Sequence, residues 1–356
     1  MARQVAAVGL KLSRCLSSST SSTSSAAASV PSVAISRATL QQQHAAKHPL
    51  PPLVYHPEYS FAGWDTKHRF VMDKFRHLYE LLLQEPQYSR NQAECFHLPP
   101  DPAEAAASWH SGATAVSTPV SAADGERVWD FTGPEVEAID RGWLGLAHCP
   151  EYVASFCAGT FPGMRRIGLP WSKRLVRRTR LEVSGTILAA ELALEYGLAC
   201  NLAGGTHHAH YSEGSGFTIF NDLVVAARVL ISRSASNNAS ASTTHPPRQQ
   251  QQVRKVLIVD LDVHQGDGTA SLVANDESIF ALSFHCESNF PLRKYPSDLD
   301  VGLPDGVCDQ EYIHELKNVP TPGIGICRGT ELRQSAPGLG LIFLYIFPGV
   351  GTAGTA

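Results

Sequence analysis

The sequence predicts an α/β fold built on a mainly parallel sheet, and three observations carry that prediction. Short apolar strands alternate with helical patterns through the middle of the chain. Val256, Leu257, Ile258, Val259 and Leu261 form a run with no polar face, as a strand covered on both sides must. Two polar clusters, Gly204–His208 and Asp260–Asp267, each follow the carboxyl end of a predicted strand, where such sheets place their sites.

Composition bounds the rest. The chain has 356 residues, 43% of them hydrophobic, enough for one large domain plus extensions. A net charge of −4 argues against direct nucleic-acid binding. The 8 cysteines are scattered, with no CxxC pair, which fits reduced thiols better than a zinc knuckle or a disulfide framework. No apolar run approaches the roughly 18 residues of a membrane span, so no membrane is expected as a partner.

Residues 1–50 have the composition of an organelle transit peptide. They hold Arg3, Lys11, Arg14, Arg37 and Lys47, a Ser/Thr run from Ser17 to Ser25, and no acid before Glu58. A chloroplast or mitochondrial address is expected; a disordered tail on a nuclear or cytoplasmic protein is the alternative. The folded part, 53–318, begins near Leu53. Phe75, Leu78, Tyr79 and Leu82 fall on one helix face, with His68, Arg69 and Phe70 just before it. The stretch 101–146 has no sustained period and is read as an irregular insertion. His148 to Val153 looks like a helix start. Arg165, Arg166, Lys173, Arg174, Arg177, Arg178 and Arg180 are read as a solvated helix face. Glu182 to Tyr196 reads as a buried helix capped by Gly197, and Leu198 to Ala203 as a strand. Asn221 or Asp222 caps the next helix, whose face is Leu223, Val224, Ala227, Leu230 and Ile231. Residues 234–252 are a low-complexity surface loop. Ser278 to Phe284 is the next strand, and Asp309 caps a helix through Tyr312, Ile313 and Leu316. Residues 319–356 form a Gly/Pro-rich tail with no Asp and no His.

The clusters carry the chemistry. Asp260, Asp262 and His264 are spaced by two, so on a strand all three project to one side. Burying two carboxylates and an imidazole is costly unless something compensates, and a divalent metal does so. Carboxylate oxygen and imidazole nitrogen are zinc ligands. The tandem His207 and His208 suit general acid–base work, with carboxylates to orient them. A water-activating metal beside His–Asp pairs suits amide hydrolysis.

Two blocks, GGTHHAHYSEGSGFTIFND (Gly204 to Asp222) and VLIVDLDVHQGDGT (Val256 to Thr269), resemble the signature blocks of the histone deacetylase family, nearest its class IV-like branch. The likeness extends back through HRFVMDKF, HCPEYV and MRRIGLPWSKRLVRRTRLEVSGT and forward to the Asp309 helix. The resemblance implies an arginase-like three-layer fold and removal of acyl groups from lysine, in histones or other proteins, with a role in chromatin regulation. It implies Asp262 and His264 as zinc ligands, His207 paired with Asp260, and His208 paired with Asp267. One histidine deprotonates the metal-bound water; the other stabilises charge or protonates the leaving amine. Gly216 and Phe217 would line the acyl-lysine channel, Arg69 an inner channel. Ser283 would join the backbone of Asp260, Asp262 and His264 in a potassium site. The family's third ligand, a later Asp, and its carbonyl-polarising Tyr have no counterpart in the tail, nor does 106–146 match a family segment. The C-terminal strands therefore read as missing, as in a truncated isoform or one with an altered transcript junction. A catalytically impaired form that binds acylated protein, and a polyamine or other small-amide deacetylase, are the alternatives. Co-repressors and oligomeric partners are not specified.

Overall fold

The computed structural model describes residues 50–90, 92–99, 142–239, 253–319 and 339–340. Residues 1–49 of the transit-like segment, most of the 101–146 stretch, 240–252 and nearly all of the 319–356 tail lie outside them.

Two parallel sheets form. Strands β1 (Leu53–Val54), β2 (Phe96–His97) and β3 (Cys200–Asn201) pair in the order β2-β1-β3. Strands β4 (Lys255–Asp260), β5 (Ile279–Cys286), β6 (Leu299–Leu303) and β7 (Leu339–Gly340) pair in the order β6-β5-β4-β7. The expectation of missing C-terminal strands is thus amended at one point, since Leu339 and Gly340 pair with Lys255 and Val256.

Helix α1 (Lys74–Gln84) buries Phe75 and Leu82, and with the half-buried Leu78 and Tyr79 packs against Leu53, Tyr55 and Phe96. Helix α2 (Pro150–Ala158) starts with Pro at its first turn and ends at Gly159, φ 76°. Helix α3 (Lys173–Tyr196) is capped by Ser172, whose hydroxyl accepts the Leu175 N–H at 3.1 Å, and by Gly197 at φ 87°. It begins well before Glu182 and takes in most of the basic run. Here the solvated-face expectation fails. Arg165, Arg166, Lys173 and Arg174 are exposed, but Arg177, Arg178 and Arg180 are buried. The reason is pairing: Arg178 makes two bonds to Glu182 one turn on, at 2.9 and 3.1 Å. Arg177 reaches Glu58 at 2.7 Å, and Arg180 donates to Cys157 Sγ at 3.2 Å.

Helix α4 (Asp222–Ala239) is capped by Asn221, whose Oδ1 accepts the Val224 N–H at 3.1 Å. It runs into the stretch read as a loop, so 234–239 are helical. Gly142–Leu146 is also ordered, with Trp143 and Leu144 buried, which shortens the irregular insertion. Helix α5 (Asp267–Val273) follows β4. Helix α6 (Asp309–Asn318) is capped by Cys308, with Glu311 reaching back to its N–H at 2.9 Å; Asp309 is the first helical residue, not the cap.

The apolar strand of the sequence is covered on both faces. Val256 and Ile258 enter a core with Val183 and Ile187 of α3 and Leu223, Val224 and Ala227 of α4. Leu257 and Val259 enter a second core with Leu282, Phe284 and Leu303, capped by Tyr312 and Leu316 of α6. Helices on both faces of β4 and β5 make the three layers, and each fully buried aliphatic contributes about 1.5–3 kcal/mol. No helix among the described residues is long and apolar enough to cross a membrane. Cys95, Cys149, Cys157, Cys200, Cys286 and Cys308 take part in no disulfide among the described residues.

Candidate active site

The loop after β3 is shaped by buried carboxylates. Gly204 and Gly205 take φ values of 101° and 77°, which L side chains rarely adopt. Their N–H groups and that of Thr206 turn inward. Gly204 donates to Glu182 Oε1 at 3.1 Å, Gly205 to Asp222 Oδ2 at 3.0 Å and Thr206 to Asp222 Oδ1 at 2.8 Å. His207 and His208 emerge from this anchored loop, both buried, with ring centroids 4.0 Å apart.

The Asp-x-Asp-x-His segment is built differently from the sequence expectation. Strand β4 ends at Asp260, so Asp262 and His264 lie beyond it and strand alternation does not align them. Short side-chain-to-backbone turns do. Asp260 Oδ1 accepts the Asp262 N–H at 3.0 Å, and Asp262 Oδ1 accepts the His264 N–H at 2.8 Å.

The two loops meet as two dyads. His207 Nδ1 donates to Asp260 Oδ2 at 2.6 Å, and His208 Nδ1 to Asp267 Oδ1 at 2.7 Å. A carboxylate only accepts, so both rings carry hydrogen on Nδ1. The dyads diverge electrostatically. Burial works to lower the His207 pKa, but Asp260 outweighs it and raises the value to about 9. Burial lowers His208 to about 4, with His207 adding to the effect and Asp267 opposing it. Asp267 resists burial and is held well below the usual carboxylate range by hydrogen bonds from His208 and His210.

The predicted channel residues form a tight turn. Ser215 and Thr218 bridge across Gly216 at φ 54° and Phe217 at φ 66°. Phenylalanine in this region costs about 1–2 kcal/mol, and the Phe217 N–H bonded to the Ile167 carbonyl at 2.8 Å helps hold it there. Gly216 lies over His208, where a Cβ would fall 2.5 Å from its Cδ2. Phe217 packs against His68 and Phe70, and Arg69 between them is exposed. Ser283 is buried opposite Asp260 in the β4–β5 register, its hydroxyl 3.0 Å from His285 Nδ1. Sequence reading missed Phe290, whose ring stands edge-on to His208 and close to His264, with centroids 4.9 and 6.0 Å away. It also missed His210, which reaches Asp267 from behind, and Ser271, which bonds the other ring nitrogen of His210. The His210 signal was present two residues after the tandem pair; Phe290 sits in a loop without period.

Asp262 Oδ1 and His264 Nδ1 lie 2.8 Å apart. One oxygen and one nitrogen donor converging at a strand end are the chemistry zinc takes. Among the described residues no group of three His, Cys, Asp or Glu side chains is placed to hold a metal ion.

Buried His–Asp dyads beside such a donor pair, at the carboxyl ends of parallel strands, define a hydrolase-type centre in an α/β protein. The histone deacetylase domain model matches residues 116–324, and the chain belongs to the histone deacetylase family. An uncharacterized protein of Picosynechococcus sp. is 42% identical over 267 residues, covering 74% of this chain and 70% of its own length. Histone deacetylase 2 of Arabidopsis thaliana is 30% identical over 141 residues, 38% of this chain and 32% of that protein. The crystal structure of the HDA15 HD domain aligns over 75% of this chain and 68% of its own, at 18% identity and a TM-score of 0.47. The family match starts at residue 116, inside the stretch read as matching no family segment, and corrects that reading.

Proposed function

We propose that the chain carries a zinc-dependent lysine deacetylase centre of the class IV-like branch, acting on acylated histones or other proteins. The observation that carries this reading is the pair of buried dyads, rings 4.0 Å apart, beside the Asp262 and His264 donors. Asp262 through Oδ1 and His264 through Nδ1 would hold zinc, which when bound polarises a carbonyl oxygen and acidifies water. The proton work falls to the histidines. His208, neutral, accepts a proton at Nε2 from the attacking water, with Asp267 steadying the cation that results. His207 stays protonated and offers positive charge to the carbonyl oxygen as it becomes anionic. The proton on His208 then passes to the leaving lysine amine. Gly216, Phe217 and Phe290 would line the channel, and Ser283 with the backbone of Asp260, Asp262 and His264 would hold potassium.

A second reading is favoured by the donors among the described residues, where no third His, Cys, Asp or Glu joins Asp262 and His264: a catalytically impaired form that binds acylated protein. Loss of one oxyanion donor alone costs about 10²–10³ in rate. Zinc content and turnover of an acetyl-lysine peptide separate the two. Zinc near one equivalent, with turnover abolished in His208→Ala, supports the deacetylase. Folded protein with neither zinc nor turnover ends it, and preferred turnover of an acetylated polyamine moves the substrate to small amides.

A further inference from the structure

The two dyads differ at the carboxylate oxygen turned away from the paired histidine. Asp260 gives that oxygen to the Asp262 N–H at 3.0 Å, a donor that does not titrate. Asp267 gives it to a third imidazole, His210 Nε2 at 3.2 Å, whose side chain is 19% exposed. On its other side His210 Nδ1 lies 2.8 Å from Ser271 Oγ, and that hydroxyl lies 2.8 Å from the Gly268 carbonyl. Neither His210 nor Ser271 has a part in the chemistry above.

Donor and acceptor counting limits what this chain can do. Asp267 accepts, so His210 Nε2 carries hydrogen whenever the bond exists. Nδ1 has two states. With a hydrogen it donates to Ser271, which passes its own to the Gly268 carbonyl. Without one it accepts from Ser271, whose hydroxyl turns away from Gly268.

We propose that His210 is a positioning residue for the His208–Asp267 dyad: its Nε2–H holds the far oxygen of Asp267 and so fixes the carboxylate that orients His208. The groups facing His210 are few. Asp267 and Ser271 come from α5 and His208 from its own loop. His148 Nδ1 donates to the His210 carbonyl at 2.9 Å. The Glu213 carbonyl receives the His210 N–H at 2.8 Å, while its carboxylate pairs with Arg166 at 3.0 Å.

The activity arm of the test rests on the deacetylase reading; a spectroscopic arm does not. His210→Ala removes the donor toward Asp267, His210→Asn restores one, and Ser271→Ala removes the partner at Nδ1. Turnover of an acetyl-lysine peptide by the full chain is compared across the variants. The expected result is a KM within about twofold of wild type, a kcat lowered about tenfold in His210→Ala, and recovery of most of that loss in His210→Asn. The loss is smaller and in the same direction in Ser271→Ala. Wild-type kcat in His210→Ala, or no recovery in His210→Asn, overturns the proposal. Independently, nitrogen-15 spectra of the imidazoles in the full chain should show a slowly exchanging hydrogen on His210 Nε2, lost in Asp267→Asn. An Nε2 without that hydrogen also overturns it. If wild type shows no turnover, the deacetylase reading falls and the spectra still decide the role of His210.

Discussion

Asp222→Asn is the most informative single change, because one fully buried carboxylate holds the loop that presents both histidines. Its Oδ1 accepts the Thr206 N–H at 2.8 Å and the Thr206 hydroxyl at 2.5 Å. Its Oδ2 accepts the Gly205 N–H at 3.0 Å and the Thr186 hydroxyl at 2.6 Å. Asparagine keeps one oxygen and turns the other into a donor. If Oδ1 is kept, the Thr186 hydroxyl can rotate and accept, but the Gly205 N–H then faces another N–H. An unsatisfied buried donor costs about 1–3 kcal/mol, and each bond to a charged acceptor loses part of its roughly 1.5–3 kcal/mol. Removing the buried charge returns some of this, which leaves a net loss of about 2–4 kcal/mol. Urea denaturation of wild type and variant, compared at equal m-values, measures it. Turnover should fall with stability, since His207 and His208 follow Thr206 directly. A variant within about 0.5 kcal/mol of wild type, the range of an ordinary surface change, would refute the claim that this carboxylate holds the loop.

Two other outcomes follow from the same geometry and a third from composition. Gly216→Ala should lower turnover by at least about tenfold and lower the denaturation midpoint as well, because its Cβ meets the His208 ring and that shift costs on the order of 1–3 kcal/mol of overpacking; wild-type activity and midpoint would show that the turn yields freely. Buried His148 has its pKa lowered to about 4, first by burial and then by Arg228, and its Nε2 accepts the Asn221 N–H at 2.8 Å. A lowered histidine pKa means that the neutral form is the folded one. Its contribution is complete above the unfolded value of about 6.5 and is lost as pH falls toward 4, amounting to about 3 kcal/mol. His148→Gln should flatten that part of the stability-versus-pH curve, and parallel curves would count against it. Residues 1–50 fused to a fluorescent protein should reach a plastid or mitochondrion; diffuse nuclear and cytoplasmic signal would reject the transit reading.

The parallel α/β class was legible because the Val256–Val259 run lacks a polar face, and the structure buries it between two cores. The donor pair was legible as residue types but not as geometry. Spacing of two suggested a strand face, whereas β4 stops at Asp260 and side-chain turns carry the rest. No spacing rule pairs His207 with Asp260 across 53 residues; that link came from family resemblance. The buried arginines were misread because a charge run usually marks solvent. Arg178 and Glu182 nonetheless stand four apart on one helix, the spacing at which a long ion pair closes on itself. Phe290 depends on tertiary placement with no local pattern to announce it, and the role of His210, though it stands two residues after the tandem pair, shows only in its contact with Asp267.

The closeness of the dyads is set by backbone rather than by side-chain reach. The Thr269 N–H donates to the His207 carbonyl at 2.9 Å, tying the start of α5 to the histidine loop. Asn221 Nδ2 bridges the Ala209 carbonyl at 3.3 Å and Thr269 Oγ1 at 3.0 Å, tying both to the cap of α4. At this separation two positions have no room for a side chain. A Cβ on Gly268 would lie 2.5 Å from the His208 carbonyl carbon and the Ala209 oxygen, and one on Gly266 would overlap Asp260 Oδ2. The glycines of QGDG are thus the condition for His–Asp distances of 2.6 and 2.7 Å. Both dyads lean on one frame of three element ends, so displacing that frame moves both histidines together. A further difference between the dyads lies outside the frame, at the far oxygen of each carboxylate: a backbone amide behind Asp260, an imidazole behind Asp267.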